Sequence, residues 1–136
     1  MSAVQVGDSR ELVVAEDLTR TQIVQYAGAS GDYNPLHSDE RFAKEVAGYP
    51  SIFAHGMLTM GMSGRVLTDW FGAEALLAYG ARFQAQVWPG DRLTTTATVT
   101  AIRQLDGAAV ADLTLTTVNQ AGAVVLSGTA SARVDG

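Results

Sequence analysis

Cysteine is absent from all 136 residues, which excludes disulfides, thiolate nucleophiles and zinc clusters of the Cys type. Lysine occurs once, as Lys44, and the net charge is −5. The clustered cations that grip nucleic-acid phosphates are therefore missing. No apolar run approaches the ~20 residues that span a bilayer. Asp8, Arg10 and Glu11 fall where a secretion signal needs an apolar stretch, so the expectation is a soluble, cytoplasmic protein. No repeat or low-complexity linker divides the chain. Its length suits one domain, residues 1–136, with a core that needs no staples.

What is present splits into an irregular, helical half and a β half. Thr19 and Gln22 have the spacing of a capping box ahead of Ile23, Val24, Tyr26 and Ala27. They predict a helix over 20–29, stopped by Gly28, Ser30 and Gly31. Asn34-Pro35 forces an extended backbone after it. Ser38 or Asp39 suits the cap of a second short helix through Phe42, Ala43 and Val46, ending at Gly48 and Pro50. A third helix, 56–71, begins with Met57, Leu58, Met60, Gly61 and Met62, apolar nearly all round. Such a helix is expected to be buried on every side. Gly61 and Gly64 within it cost about 1 kcal/mol each in helix propensity, which points to a close-packed neighbour.

From Leu77 the period becomes two, with strands predicted over 77–87, 93–101, 109–119 and 124–134. Trp88-Pro89-Gly90-Asp91, Gln104 to Gly107 and Gln120 to Gly122 are the turns between them. Four consecutive strands read as an antiparallel meander, with a fifth strand near Ser9 to Glu16. The arrangement expected is α+β, a sheet curled around the apolar helix.

Two groups with acid–base chemistry, Asp32 and His37, share one turn-rich loop, Ser30-Gly31-Asp32-Tyr33-Asn34-Pro35-Leu36-His37. Gly56 then opens the apolar helix, where a helix N-terminus can hold developing negative charge. That is equipment for proton transfer beside a carbonyl. Asp32 and Asn34 also suit a plain turn whose side chains bond local amides. His37, Asp39 and His55 are metal ligands by residue type, but with two histidines in the chain no metal is expected. Met57, Met60 and Met62 read first as core. Arg65, Arg82 and Arg92 are surface charges or contacts to a substrate phosphate.

Gly31-Asp32-Tyr33-Asn34-Pro35-Leu36-His37, then Ala54-His55-Gly56-Met57, then Pro89-Gly90-Asp91 in a curled sheet, resembles the MaoC-type (R)-specific hydratases and dehydratases of the hot-dog fold. Within that family the likeness is strongest to the catalytic B subunit of the mycobacterial-type (3R)-hydroxyacyl-ACP dehydratases. The resemblance implies reversible hydration of trans-2-enoyl thioesters, carried by CoA or acyl carrier protein, to (3R)-3-hydroxyacyl thioesters, with no cofactor. It implies Asp32 and His37 as the catalytic pair and the Gly56 N–H as oxyanion donor. Ser30, Asn34, His55 and Met57 become candidates for contact with substrate. A second subunit is implied, either another copy or a non-catalytic hot-dog partner.

Two other functions fit a hot-dog. A thioesterase of the usual kind carries its carboxylate on the central helix, and no Asp or Glu lies between Gly56 and Thr68. A non-catalytic acyl-thioester-binding subunit would tolerate loss of Asp32 or His37, and both are present.

Overall fold

The computed structural model describes residues 3–134. Strands β1 (Ser9–Ala15), β2 (Leu76–Phe83), β3 (Leu93–Leu105), β4 (Ala108–Val118) and β5 (Val124–Arg133) form one curled antiparallel sheet. Their order is β1-β3-β4-β5-β2. The meander expected from the sequence therefore holds only for β3, β4 and β5. β2 does not pair with β3; it crosses to the far edge and pairs with β5, Ala81 opposite Gly128. The stretch between β2 and β3 is too long for a hairpin, and its Pro-Gly turn is pinned elsewhere. Gly90 donates to the Leu18 carbonyl, Leu18 donates back to that of Asp91, and the Asp91 carboxylate accepts from the Trp88 N–H. β2 also ends at Phe83, short of the predicted Val87.

Helix α1 (Arg20–Ser30) has the complete capping box, Thr19 and Gln22 each bonding the other's backbone N–H. Gly28 does not stop it; Gly31 does, taking the left-handed conformation (φ 77°) that closes helices at low steric cost. Phe42–Val46 winds as a wide π turn, Ala47 donating to the Phe42 carbonyl, and Asp39 bonds the Phe42 N–H at its start.

The long third helix is two helices, α2 (Gly56–Ser63) and α3 (Arg65–Phe71), joined at Gly64. A Cβ at Gly64 would stand 3.0 Å from the Tyr79 ring, whose hydroxyl donates to the Met60 carbonyl. Close approach thus accounts for Gly64. Gly61 faces open space. The expectation of burial on every side is overturned. The fully buried residues of α2 are Thr59 and Ser63, whereas Met57 is 56% exposed. Ser63 is held by a buried hydroxyl chain, bonding Thr117, which bonds Thr95, both at 2.7 Å. The Ser63 hydroxyl goes inward because Thr117 satisfies it there, and part of the apolar face is left uncovered.

Gly128 lets β5 and β2 approach: a Cβ there would lie 2.6 Å from the Gly80 carbonyl oxygen. Gly128→Ala is expected to cost about 1–3 kcal/mol, the usual range for overpacking, read as a lower urea midpoint at unchanged slope.

Candidate active site

The loop after α1 is built by side chains bonding the backbone two residues on. Ser30 Oγ accepts from the Asp32 N–H (3.1 Å), Asp32 Oδ1 from the Asn34 N–H (3.2 Å), and Asn34 Oδ1 from the Leu36 N–H (3.0 Å). Each is a short polar residue of the kind that makes such turns. The series ends in a single 3-10 turn, Pro35–His37, with proline at its start. Ser30 therefore bonds the backbone of Asp32, and Asn34 braces the loop.

Two hydrogen bonds seat this loop on the segment leading into α2. The Phe53 N–H donates to the Leu36 carbonyl at 3.2 Å, and His37 Nδ1 lies 2.7 Å from the Phe53 carbonyl oxygen. A carbonyl only accepts, so His37 carries its proton on Nδ1 when neutral, and Nε2 is left with its lone pair. His37 is buried, and its ring meets Phe53 edge-on at 5.2 Å.

Behind it sits His55, 1% exposed, its ring stacked on that of His37 at 3.9 Å and meeting Tyr26 edge-on at 4.8 Å. His55 Nε2 is 3.1 Å from the backbone carbonyl oxygen of Asp32, whereas Nδ1 is buried with no partner. His55 titrates below its ordinary 6.5, because burial penalises the charged ring more than the hydrogen bond to the Asp32 carbonyl supports it; the neighbouring His37 adds to the lowering. One ligating atom each from Asp32, His37 and His55 lies within 4.8 Å of the others. Asp39, expected beside the histidines if a metal were held, is not in this group; its carboxylate caps Phe42. The two imidazoles lie face to face, so their ring-plane lone pairs converge poorly on a single ion, and proton transfer suits the group better.

Gly56 begins α2, and no side chain caps that end. Its missing Cβ matters, since one would meet the Phe83 ring at 2.7 Å. A cavity of about 280 Å³ opens here, walled by Phe53, Ala54, Thr59, Phe83, Val87 and Val125. Phe53, which bonds the Asp32–His37 loop, is part of its wall; neither Asp32 nor His37 lines it.

Asp32, His37 and Gly56 are thus gathered around one short segment. Two candidates for substrate contact, His55 and Met57, do not line the cavity. His55 is packed behind His37, where its partners are protein groups. Met57 points outward from the first turn of α2 and is the more exposed of the pair. The role of Phe53, whose carbonyl fixes the His37 tautomer, and of Phe83, which roofs Gly56, carried no sequence signal. One acts through its backbone, and the other comes from a distant strand. Arg92 is paired with Glu16 at 2.6 Å.

A family model described as MaoC like domain matches residues 2–120, and the chain belongs to that family. The 3-hydroxyacyl-thioester dehydratase Y of Mycobacterium tuberculosis is 45% identical over 69 residues, 48% of this chain and 24% of that protein. The chain spans 24% to 31% of the length of the first curated relatives it matches. Among solved structures, an (R)-hydratase from A. caviae involved in PHA biosynthesis has a TM-score of 0.78 at 28% identity, covering 99% of this chain and 100% of that one. A chain of the ChsH1–ChsH2 complex from M. tuberculosis has a TM-score of 0.81 at 24% identity, covering 97% of this chain and 99% of that chain, a likeness of fold. The architecture is that of the MaoC hot-dog structures, a sheet curled about a central helix.

The buried His55 makes stability depend on pH. Its folded value lies below its unfolded 6.5, so the unfolded chain takes up the proton first as pH falls. This contribution is complete above pH 6.5 and is lost below it, before the carboxylates of Glu40 and Asp112, both held low by arginine, begin to protonate. Urea midpoints at pH 7.5 and 5.5 check this, with the lower midpoint expected at pH 5.5.

Proposed function

We propose that the protein is a hydro-lyase that interconverts (3R)-3-hydroxyacyl and trans-2-enoyl thioesters of CoA or acyl carrier protein, in metabolism of the fatty-acid type. The observation that carries this reading is the His37 tautomer. Its Nδ1 is held by the Phe53 carbonyl, which leaves Nε2 bare in a group where one ligating atom each of Asp32, His37 and His55 lies within 4.8 Å of the others, one segment away from an uncapped helix end. Dehydration needs a base for a weakly acidic proton at C2, a proton for the departing C3 hydroxyl, and a donor for the enolate oxygen.

In this reading the thioester oxygen lies at the Gly56 N–H, with the acyl chain in the adjoining cavity. His37 Nε2 takes the C2 proton while Asp32 orients the C3 oxygen. The pair gains one proton from C2 and returns one to the hydroxyl, which leaves as water. Both groups end each turnover as they began. No redox step or cofactor is required. Ser30 and Asn34 serve by fixing Asp32, and Met57 borders the substrate's way in.

A second copy of the chain belongs to the proposal. Among the described residues β2 is an edge strand with one side unpaired, and Leu77 on it, Phe83 at its end and Met57 on α2 are exposed. Pairing two copies along that edge would cover them. A non-catalytic hot-dog subunit could cover the same surface, as in a heterodimer; sedimentation of the purified chain separates the two.

Hydration of crotonyl-CoA, followed as loss of the enoyl absorbance, tests the activity. His37→Ala and Asp32→Asn are each expected to lower turnover by about a hundredfold or more with the fold intact. Release of free thiol without hydration would instead identify a thioesterase.

Gly56→Pro tests the oxyanion donor. Proline is welcome at a helix's first position, and His55 already has the extended backbone (φ −60°, ψ 139°) that proline demands of its predecessor. The Phe83 ring must first be removed to make room. Turnover of the Gly56→Pro, Phe83→Ala double variant is expected to fall about 10²–10³-fold relative to Phe83→Ala alone.

A further inference from the structure

We infer that His55 is a positioning residue, a neutral imidazole that ties the Asp32 loop to the His37 ring and sets the distance between carboxylate and base. The inference rests on the Asp32–His37 reading and adds a residue to it. His55 occupies the N-cap position of α2 yet makes no side-chain cap there. Its ring instead turns away from the helix end. Nε2 holds the backbone carbonyl of Asp32 at 3.1 Å, and the ring face lies against His37 at 3.9 Å with an interplanar angle of 26°. One side chain thereby touches both members of the pair, and Tyr26 of α1 closes its far side.

The hydrogen bond dictates the protonation. The Asp32 carbonyl accepts, so Nε2 carries the hydrogen and Nδ1 is the lone-pair nitrogen. That Nδ1 is buried and has no hydrogen-bond partner among the described residues. A buried polar atom without a partner destabilises a fold, so packing alone would favour an apolar ring at this position. Stability does not explain the histidine; its grip on the Asp32 carbonyl does. An apolar ring would preserve the stack and release the loop.

Nitrogen-15 NMR of the wild-type protein at pH 7 reads the tautomers directly. The expected result is neutral His55 protonated on Nε2 and His37 protonated on Nδ1. A His55 that is charged, or protonated on Nδ1, would overturn the inference.

His55→Phe and His55→Gln extend the test to crotonyl-CoA hydration. Phe keeps the ring and loses the donor, and Gln restores an N–H near the place of Nε2. His55→Phe is expected to melt no lower than wild type by more than a few degrees, with kcat down by about 10²-fold, the scale of a small misplacement, and KM within twofold. His55→Gln is expected to recover at least tenfold of that loss. A His55→Phe enzyme with wild-type kcat, or a loss confined to KM, contradicts positioning. His37→Ala, measured beside them, separates the two levels. If it too retains full activity, the Asp32–His37 reading fails. If it is inactive while His55→Phe turns over normally, only the role of His55 fails.

Discussion

The hydrogen bond between His37 Nδ1 and the Phe53 carbonyl, 2.7 Å long, joins the two stretches of chain on which the candidate site depends. The first is the loop of successive side-chain turns that carries Asp32. The second runs directly into α2 and is itself fixed to the β2–β3 connection, since the Ala54 N–H donates to the Val87 carbonyl at 2.8 Å. Through this one contact the position of the His37 ring, its tautomer and its distance from the Gly56 helix end are set together. A loop tethered in this way needs no metal or partner side chain to orient its imidazole.

Local chemistry was legible in the sequence. The Thr19–Gln22 capping box, the strands from β3 onward and the turn series through Asp32 and Asn34 follow from side chains acting on nearby backbone. What was hidden depends on distant contacts. Nothing local says that β2 must leave its neighbour and pair with β5; that follows from where the Asp91 turn is anchored and from the space Gly128 leaves for Gly80. The break at Gly64 depends on Tyr79, and the roof over Gly56 on Phe83. Asp32, His37 and Gly56 could be singled out as candidates because motif spacing reports residue types. The partners of His55 were not, because they comprise a backbone carbonyl and two ring faces.

The inverted burial of α2 links fold to assembly. Thr59 and Ser63 point inward and Met57 outward, the reverse of what residue type alone prescribes. The Ser63 hydroxyl is compensated by a chain through Thr117 to Thr95. The outer methionine and the open edge of β2 have no such compensation within one chain. Gly56, next to Met57, and Phe83, at the end of β2, both line the cavity, so whatever covers the methionine and that edge lies close to it.

A crystal structure with a bound 3-hydroxyacyl thioester tests the central claim most directly. The account predicts the C3 hydroxyl between Asp32 and His37 Nε2, with the thioester oxygen about 3 Å from the Gly56 nitrogen. A thioester seated with its carbonyl away from the start of α2, or a His37 ring turned so that Nδ1 leaves Phe53, would contradict it.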